Sequence, residues 1–465
     1  MTAGTQKVDR AGASAAKPHS SPIDLESRYP FGGHSRVLTL AASISAGTIE
    51  PNPWMILPFG VMLLSIALMP FIHLHWWEKN YPKVAIALGL FTAGYYFFIL
   101  GERSRLLDVA HEYISFIALI GSLFIVASGV HIRVRGEATP LRNTVFLAIG
   151  AFIANFIGTT GASMLMIRPW IRMNKYRITA FHVVFFIFIV SNAGGALTPI
   201  GDPPLFLGFL KGVPFFWTTE HLWMPWLVTV GLLLVVFHVL DVMNFRRAPE
   251  VVRELETAQE EFRIDGKRNF IFIGIILGAV FLPTPWREVI MGAAALGSWY
   301  VTPKQVHEMN HFNLHPIKEV GWLFFGIFGT MIPALDYLQL HSDALGVETP
   351  LQFYAFTGVL SAVLDNAPTY LTFLAAALGQ QGLNLSEATD VAAFAASHTA
   401  ILVAISLGAV FFGAATYIGN GPNFMVKAIA EQAKVETPSF FGYVIRFTLP
   451  FLLPILILVA WIFFV

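Results

Sequence analysis

The 465-residue chain contains no cysteine, which removes disulfides, thiolate chemistry and cysteine-bound metals together. Charge is scarce as well. Asp, Glu, Lys and Arg supply 12% of residues, and 29 basic side chains balance 29 acidic ones, so no basic surface speaks for a nucleic-acid partner. The most informative lack is local: between Lys318 and Lys427 there is no Lys or Arg. What is present instead is apolar. Hydrophobic residues make up 55% of the chain and form the runs Ile56–Ile72, Phe116–Val130, His221–Leu240 and Thr448–Val465. A soluble core of this size would not need such runs, so the chain reads as an all-α polytopic membrane protein whose first partner is the lipid bilayer.

Residues 1–53 divide into a tail rich in Ala, Ser, Gly and Pro, expected to be disordered, and a short apolar leader-like stretch after Arg36. Spans are expected near 55–72, 83–100 and 110–130, with the cluster His73-Leu-His-Trp-Trp-Glu-Lys79 as an interfacial anchor. Two basic loops, His131–Arg142 and Arg168–Arg177, flank the next apolar stretch. Lys and Arg accumulate on the cytoplasmic side, so residues 143–167 should enter the membrane and return to the same face. The small residues Gly158-Thr159-Thr160-Gly161-Ala162-Ser163 suit the tip of that hairpin. A broken helix over 180–216 and a span over 221–241 complete a first half, 54–243. The linker 244–268, with Arg246, Arg247, Arg253, Arg263, Lys267 and Arg268, is expected to be cytoplasmic.

The second half, 269–465, repeats the plan: spans near 269–283, 286–301 and 320–335, a hairpin at 350–380, a broken helix at 389–430 and a last span at 440–465. The loops beside its hairpin hold Asp336, Asp343, Glu348, Glu387 and Asp390 but no cation, which places the mouth of that hairpin outside. The two halves are then an inverted repeat, each with three spans, a re-entrant hairpin, a broken helix and a final span. Only Arg103 and Arg105, in a loop assigned to the exterior, run against this count.

The breaks carry the polar chemistry. Ser191-Asn-Ala-Gly-Gly-Ala-Leu-Thr198-Pro-Ile-Gly201-Asp202-Pro203-Pro204 returns 218 residues later as Thr416-Tyr-Ile-Gly419-Asn420-Gly421-Pro422-Asn423. The second hairpin tip is Asp365-Asn366-Ala367-Pro368-Thr369, aligned with the first at a spacing of 207. Paired helix breaks in the two halves of a membrane protein mark a transporter rather than an enzyme. An acidic residue at such depth is a site candidate, because a buried carboxyl group can trade a proton for a metal ion. The candidate ligands are Asp202 and Asp365 for sodium, with Thr159, Thr160, Asn192, Thr198, Asn366, Thr369, Thr416, Asn420 and Asn423; Asn155, Ser191 and Ser397 are weaker candidates. Asp202 before two prolines also reads as a helix N-cap, and Asn366 with Pro368 as turn residues. His182, His238 and His398 read as packed histidines.

The stretches Gly158–Pro169, Ser191–Gly208 and Leu364–Thr369 resemble the ion transporter superfamily, closest to a bacterial branch of citrate transporters and NhaD-like sodium:proton antiporters. The resemblance covers about residues 54–465. It implies scaffold and transport domains, two re-entrant hairpins, a homodimer and elevator-type alternating access. NhaD-type members carry an Asp-Asn pair at both tips; here the second is kept as Asp365-Asn366, while the first reads Gly158-Thr159. The leading expectation is a secondary active transporter of the bacterial inner membrane that exchanges sodium for protons, with no cofactor beyond the transported ions. A cation-coupled carrier of citrate or another di- or tricarboxylate is the alternative. An intramembrane aspartyl protease is a remote third, since its dyad would need the two acids to share a proton.

Overall fold

The computed structural model describes residues 50–133, 138–247, 263–310 and 312–465. The expected tail and leader-like stretch up to residue 49, and residues 248–262 of the linker, lie outside the described residues.

Long, largely apolar runs give the helices α1 (Pro53–Ile72), α2 (Leu74–Leu100), α3 (Arg103–Ser128) and α4 (Pro140–Met173). Helix α5 (Ala180–Ile189) continues through a tight turn at Ala193–Leu197. After it come α6 (Pro203–Lys211) and α7 (Trp217–Arg247). The second half runs α8 (Asn269–Ala279), α9 (Trp286–Val301), α10 (Lys304–Met309) and α11 (His315–Leu340). It ends with α12 (Pro350–Val363), α13 (Asn366–Gln380), α14 (Ala388–Ser397), α15 (Thr399–Phe412), α16 (Gly421–Gln432) and α17 (Phe440–Phe464). Eight helices among the described residues are long and apolar enough to cross a bilayer, and a bent pair would make nine. Their outer faces expose Phe98, Ile99 and Trp461, as a lipid solvent allows.

Helix α4 has 34 residues, about 51 Å if straight, which overshoots a hydrocarbon core of about 30 Å. It is not straight. Gly158 adopts φ 74° and ψ 156°, a conformation open to glycine, and the chain doubles back there. The arms meet along their length: the rings of Phe146 and Trp170 stack at 5.6 Å, and Asn143 Nδ2 donates to Asn174 Oδ1 at 2.8 Å. Helices α12 and α13 form a second hairpin, closed by Phe353 against Phe373 at 6.4 Å and by Gln380 Nε2 donating to the Val347 carbonyl.

Three expectations need correction. The run 269–283 does not form a full span: α8 ends at Ala279 after 11 residues, because Pro283 and Pro285 cannot donate the N–H bonds that would extend it. With α9 it makes a short hairpin whose ends meet where Ser298 Oγ donates to Asn269 Oδ1 at 2.5 Å. The stretch 389–430 has a bend of 101° at His398, ahead of the break at 416–423, so α14 turns away from the axis of α15. Helix α2 begins nine residues before the expected span, since its polar first turns are helical as well.

Arg105 is not a loose loop cation. On α3 it is paired with Asp336 of α11 at 2.6 Å, and Tyr96 donates to the same carboxylate at 2.8 Å. Another buried cluster ties the α4 hairpin to α7: Arg177 is ion-paired with Asp241, which also accepts from Asn143 and faces His182 Nε2 at 3.1 Å. A two-stranded antiparallel ladder, His131–Arg133 with Arg263–Asp265, joins the loop after α3 to the end of the linker.

Candidate functional site

Each hairpin tip docks on one helix break through its backbone. The Thr159 N–H donates to the Gly201 carbonyl at 2.7 Å, and the Asn366 N–H donates to the Gly419 carbonyl at 3.2 Å. Each break is also held from the side: Thr198 Oγ1 donates to the Asn155 carbonyl at 2.6 Å, and Thr416 Oγ1 to the Ala362 carbonyl at 2.7 Å. Unwound backbone that would be costly in lipid is thereby satisfied within the protein. Glycine is required at the first break, because a Cβ on Gly201 would lie 2.0 Å from the Gly195 carbonyl oxygen.

The arrangement brings four helix starts to one place. The second arm of α4 begins at the tip, α13 begins at Asn366, and α6 and α16 begin directly after Asp202 and Asn420. Asp202 sits among them, 1% exposed. Although it is the N-cap of α6 by position, its carboxylate makes no bond to that helix. Instead Oδ1 accepts from Thr159 Oγ1 at 2.7 Å and from Asn420 Nδ2 at 2.9 Å, while Oδ2 accepts from Asn366 Nδ2 at 2.6 Å. Both hairpin tips and both breaks thus contribute to the surroundings of a single carboxylate. Three donors and the positive ends of the helices are aimed at this one carboxylate.

A chain of amides extends from this point. Asn420 Nδ2 also reaches Asn192 Oδ1 at 3.1 Å, Asn192 Nδ2 donates to Asn423 Oδ1 at 2.7 Å, and Asn423 Nδ2 donates to the carbonyls of Gly413 and Thr416. Asn366 Oδ1 is buried and has no hydrogen-bond partner, an oxygen left over beside the Asp202 carboxylate.

The remaining candidates do not bond the Asp202 carboxylate. Asp365 is half-buried and accepts from the Ala367 N–H at 3.0 Å, the cap of α13. Thr369 Oγ1 bonds the Asp365 carbonyl inside that helix. Thr160 lines a cavity of about 20 Å³ with Asp202, Gly158, Pro203 and Phe206 on one side and Leu119, Ile120, Leu123 and Phe124 of α3 on the other. That volume admits a water molecule or a bare cation. Asn155 holds the first break through three contacts, receiving Leu197 N–H and Thr198 Oγ1 and donating to the Gly194 carbonyl, which fits its place one turn before the tip. Ser191 Oγ pairs with Ser163 Oγ, whereas Ser397 bonds within α14. His182 belongs to the Asp241 cluster, His238 meets Thr144 Oγ1 at 2.9 Å, and His398 stacks on Phe394.

A multi-pass helical protein with two hairpins and two helix breaks gathered at one buried carboxylate has the makings of a membrane transporter, not of an enzyme. Comparison with known families makes this definite. A family model described as "Putative citrate transport" matches residues 49–464, and the chain belongs to that family, within the ion transporter superfamily. The chain is also 25% identical over 323 residues to a "46 kDa membrane protein" of Mycobacterium leprae (strain TN), covering 64% of this chain and 72% of that protein.

Proposed function

We propose that the protein is a secondary active transporter that carries citrate or a related di- or tricarboxylate together with a cation, and that the cation binds at Asp202. One observation carries the reading: the carboxylate of Asp202, on the first break, is held by donors from both hairpin tips and from the second break. A cation there would meet the Asp202 oxygens, the unpartnered Asn366 Oδ1 and the hydroxyl of Thr159. The four helix starts around it suit the carboxylates of an organic anion without Lys or Arg. The family description supports this substrate class over sodium/proton exchange. Asp365, one residue from Asn366, is a candidate second ligand from its half-buried position.

The matching contacts at fixed spacings support an inverted repeat over 54–243 and 269–465. Thr159 and Asn366, like Asn155 and Ala362, stand 207 residues apart, and the acceptors Gly201 and Gly419, like Thr198 and Thr416, stand 218 apart. On this reading the hairpins and breaks move as a unit past α1–α3 and α8–α11, in a homodimer of the bacterial inner membrane.

Sodium/proton exchange is the second reading, favoured by the small cavity, which has room for a cation but not for citrate. Purified protein in proteoliposomes separates the two. Uptake of labelled citrate driven by a sodium or proton gradient supports the carrier; sodium-driven proton movement with no citrate uptake supports the exchanger.

A further inference from the structure

Helix α6 starts at Asp202 and ends nine residues later at Lys211, about 13 Å away along its axis. It runs beside α3, and the seam between them begins at the small cavity, where Leu119, Ile120, Leu123 and Phe124 face Pro203 and Phe206. At the other end of the seam Lys211 Nζ meets Glu112 Oε1 at 2.6 Å, with side chains 4% and 16% exposed. Glu112 lies two helical turns from Leu119 on the α3 face that lines the cavity. Just past Lys211, Phe215 packs on Phe281 in the α8–α9 break at 4.6 Å, and Phe216 at 6.2 Å. The cavity end of the seam is apolar, and apolar contacts are less directional than a charged contact in holding a register. An ion pair with one geometry supplies that register.

We propose that Glu112 and Lys211 form a charge-paired gate, which closes the α3/α6 seam over the Asp202 cavity and opens when α6 moves relative to α3. The inference rests on the reading of Asp202 as the ion site and of α6 as part of the moving unit. It assigns these two residues a positioning role, since neither touches Asp202. Lys211 is the single Lys or Arg in the broken segment 180–216.

The absence of cysteine makes the test direct. Ile120→Cys places a single thiol in the cavity wall, and its labelling by a membrane-impermeant maleimide is timed from each face of the membrane. The neutral double variant Glu112→Gln/Lys211→Gln leaves no lone buried charge, so it retains the fold. It is expected to label about ten-fold faster than the intact pair from the face where α3 begins. The charge-reversed Glu112→Lys/Lys211→Glu is expected to return the rate to that of the intact pair. A neutral double that labels at the unaltered rate, or a reversed pair as fast as the neutral one, overturns the gate. Failure of the Asp202 reading would look different: the labelling contrast would persist while Asp202→Asn kept ion-dependent transport.

Discussion

The replacement Asp202→Asn removes the charge at the centre of the site while leaving its shape. Three side-chain donors converge on the carboxylate, so a new amide group would turn one of its oxygens into a donor facing another donor. Asn366 relieves that conflict. Its Oδ1 is buried without a partner, and turning its amide over offers the new group an acceptor. The cost in stability should therefore stay near that of one hydrogen bond, about 1 kcal/mol. The cost to a bound cation is larger: two unit charges about 4 Å apart at an effective dielectric of about 20 attract by about 4 kcal/mol, or roughly a thousand-fold in affinity. In proteoliposomes, the sodium or proton concentration that half-activates citrate uptake should rise beyond reach in the variant, while its thermal unfolding in detergent stays close to that of the unaltered protein. A folded Asp202→Asn protein with unchanged cation activation would refute the reasoning.

Three further outcomes are expected. Asp365→Asn keeps a good helix cap, since Asn caps as well as Asp, so its loss of uptake should be at least about ten-fold smaller than that of Asp202→Asn; equal losses would make Asp365 a primary ligand. Gly158→Ala forces a Cβ onto a φ of 74° and to 3.3 Å from the Ile200 carbonyl oxygen, at a cost of about 1–3 kcal/mol, and should lower both the unfolding temperature and uptake. Arg177→Met leaves the Asp241 carboxylate buried without its cation and should destabilise the protein by about 3–5 kcal/mol, measured by unfolding in detergent, while the folded fraction keeps its cation dependence because Arg177 is not among the groups bonded to Asp202.

Local chemistry explains what could be read from the sequence alone. Gly158 marks a hairpin tip because its backbone needs a conformation that side chains resist, and the Gly and Pro residues around Asp202 and Asn420 stop helices wherever they stand. A spacing of 207 for the tips and 218 for the breaks was therefore visible before any coordinates. That alignment paired Thr159 with Asn366 and Asp202 with Asn420 as equivalents, but that Thr159, Asn366 and Asn420 all bond the Asp202 carboxylate was not legible in it. The ion pairs were not legible: Arg105 with Asp336, Lys211 with Glu112 and Arg177 with Asp241 join residues 64 to 231 positions apart, with no period or motif to announce them. The short α8 and the bend at His398 were hidden for a different reason. Their runs are apolar enough for a span, and hydropathy does not register where Pro283 ends a helix or where α14 leaves the axis of α15.

The central claim is that a cation at Asp202 is coupled to the binding of an organic anion. Its most direct measure is equilibrium binding of citrate to the purified protein, with and without sodium or at two pH values. The account predicts that one of these cations tightens citrate binding, that citrate tightens the cation by the same factor, and that the coupling disappears in Asp202→Asn. Citrate binding indifferent to both cations, or coupling that survives in Asp202→Asn, would contradict it.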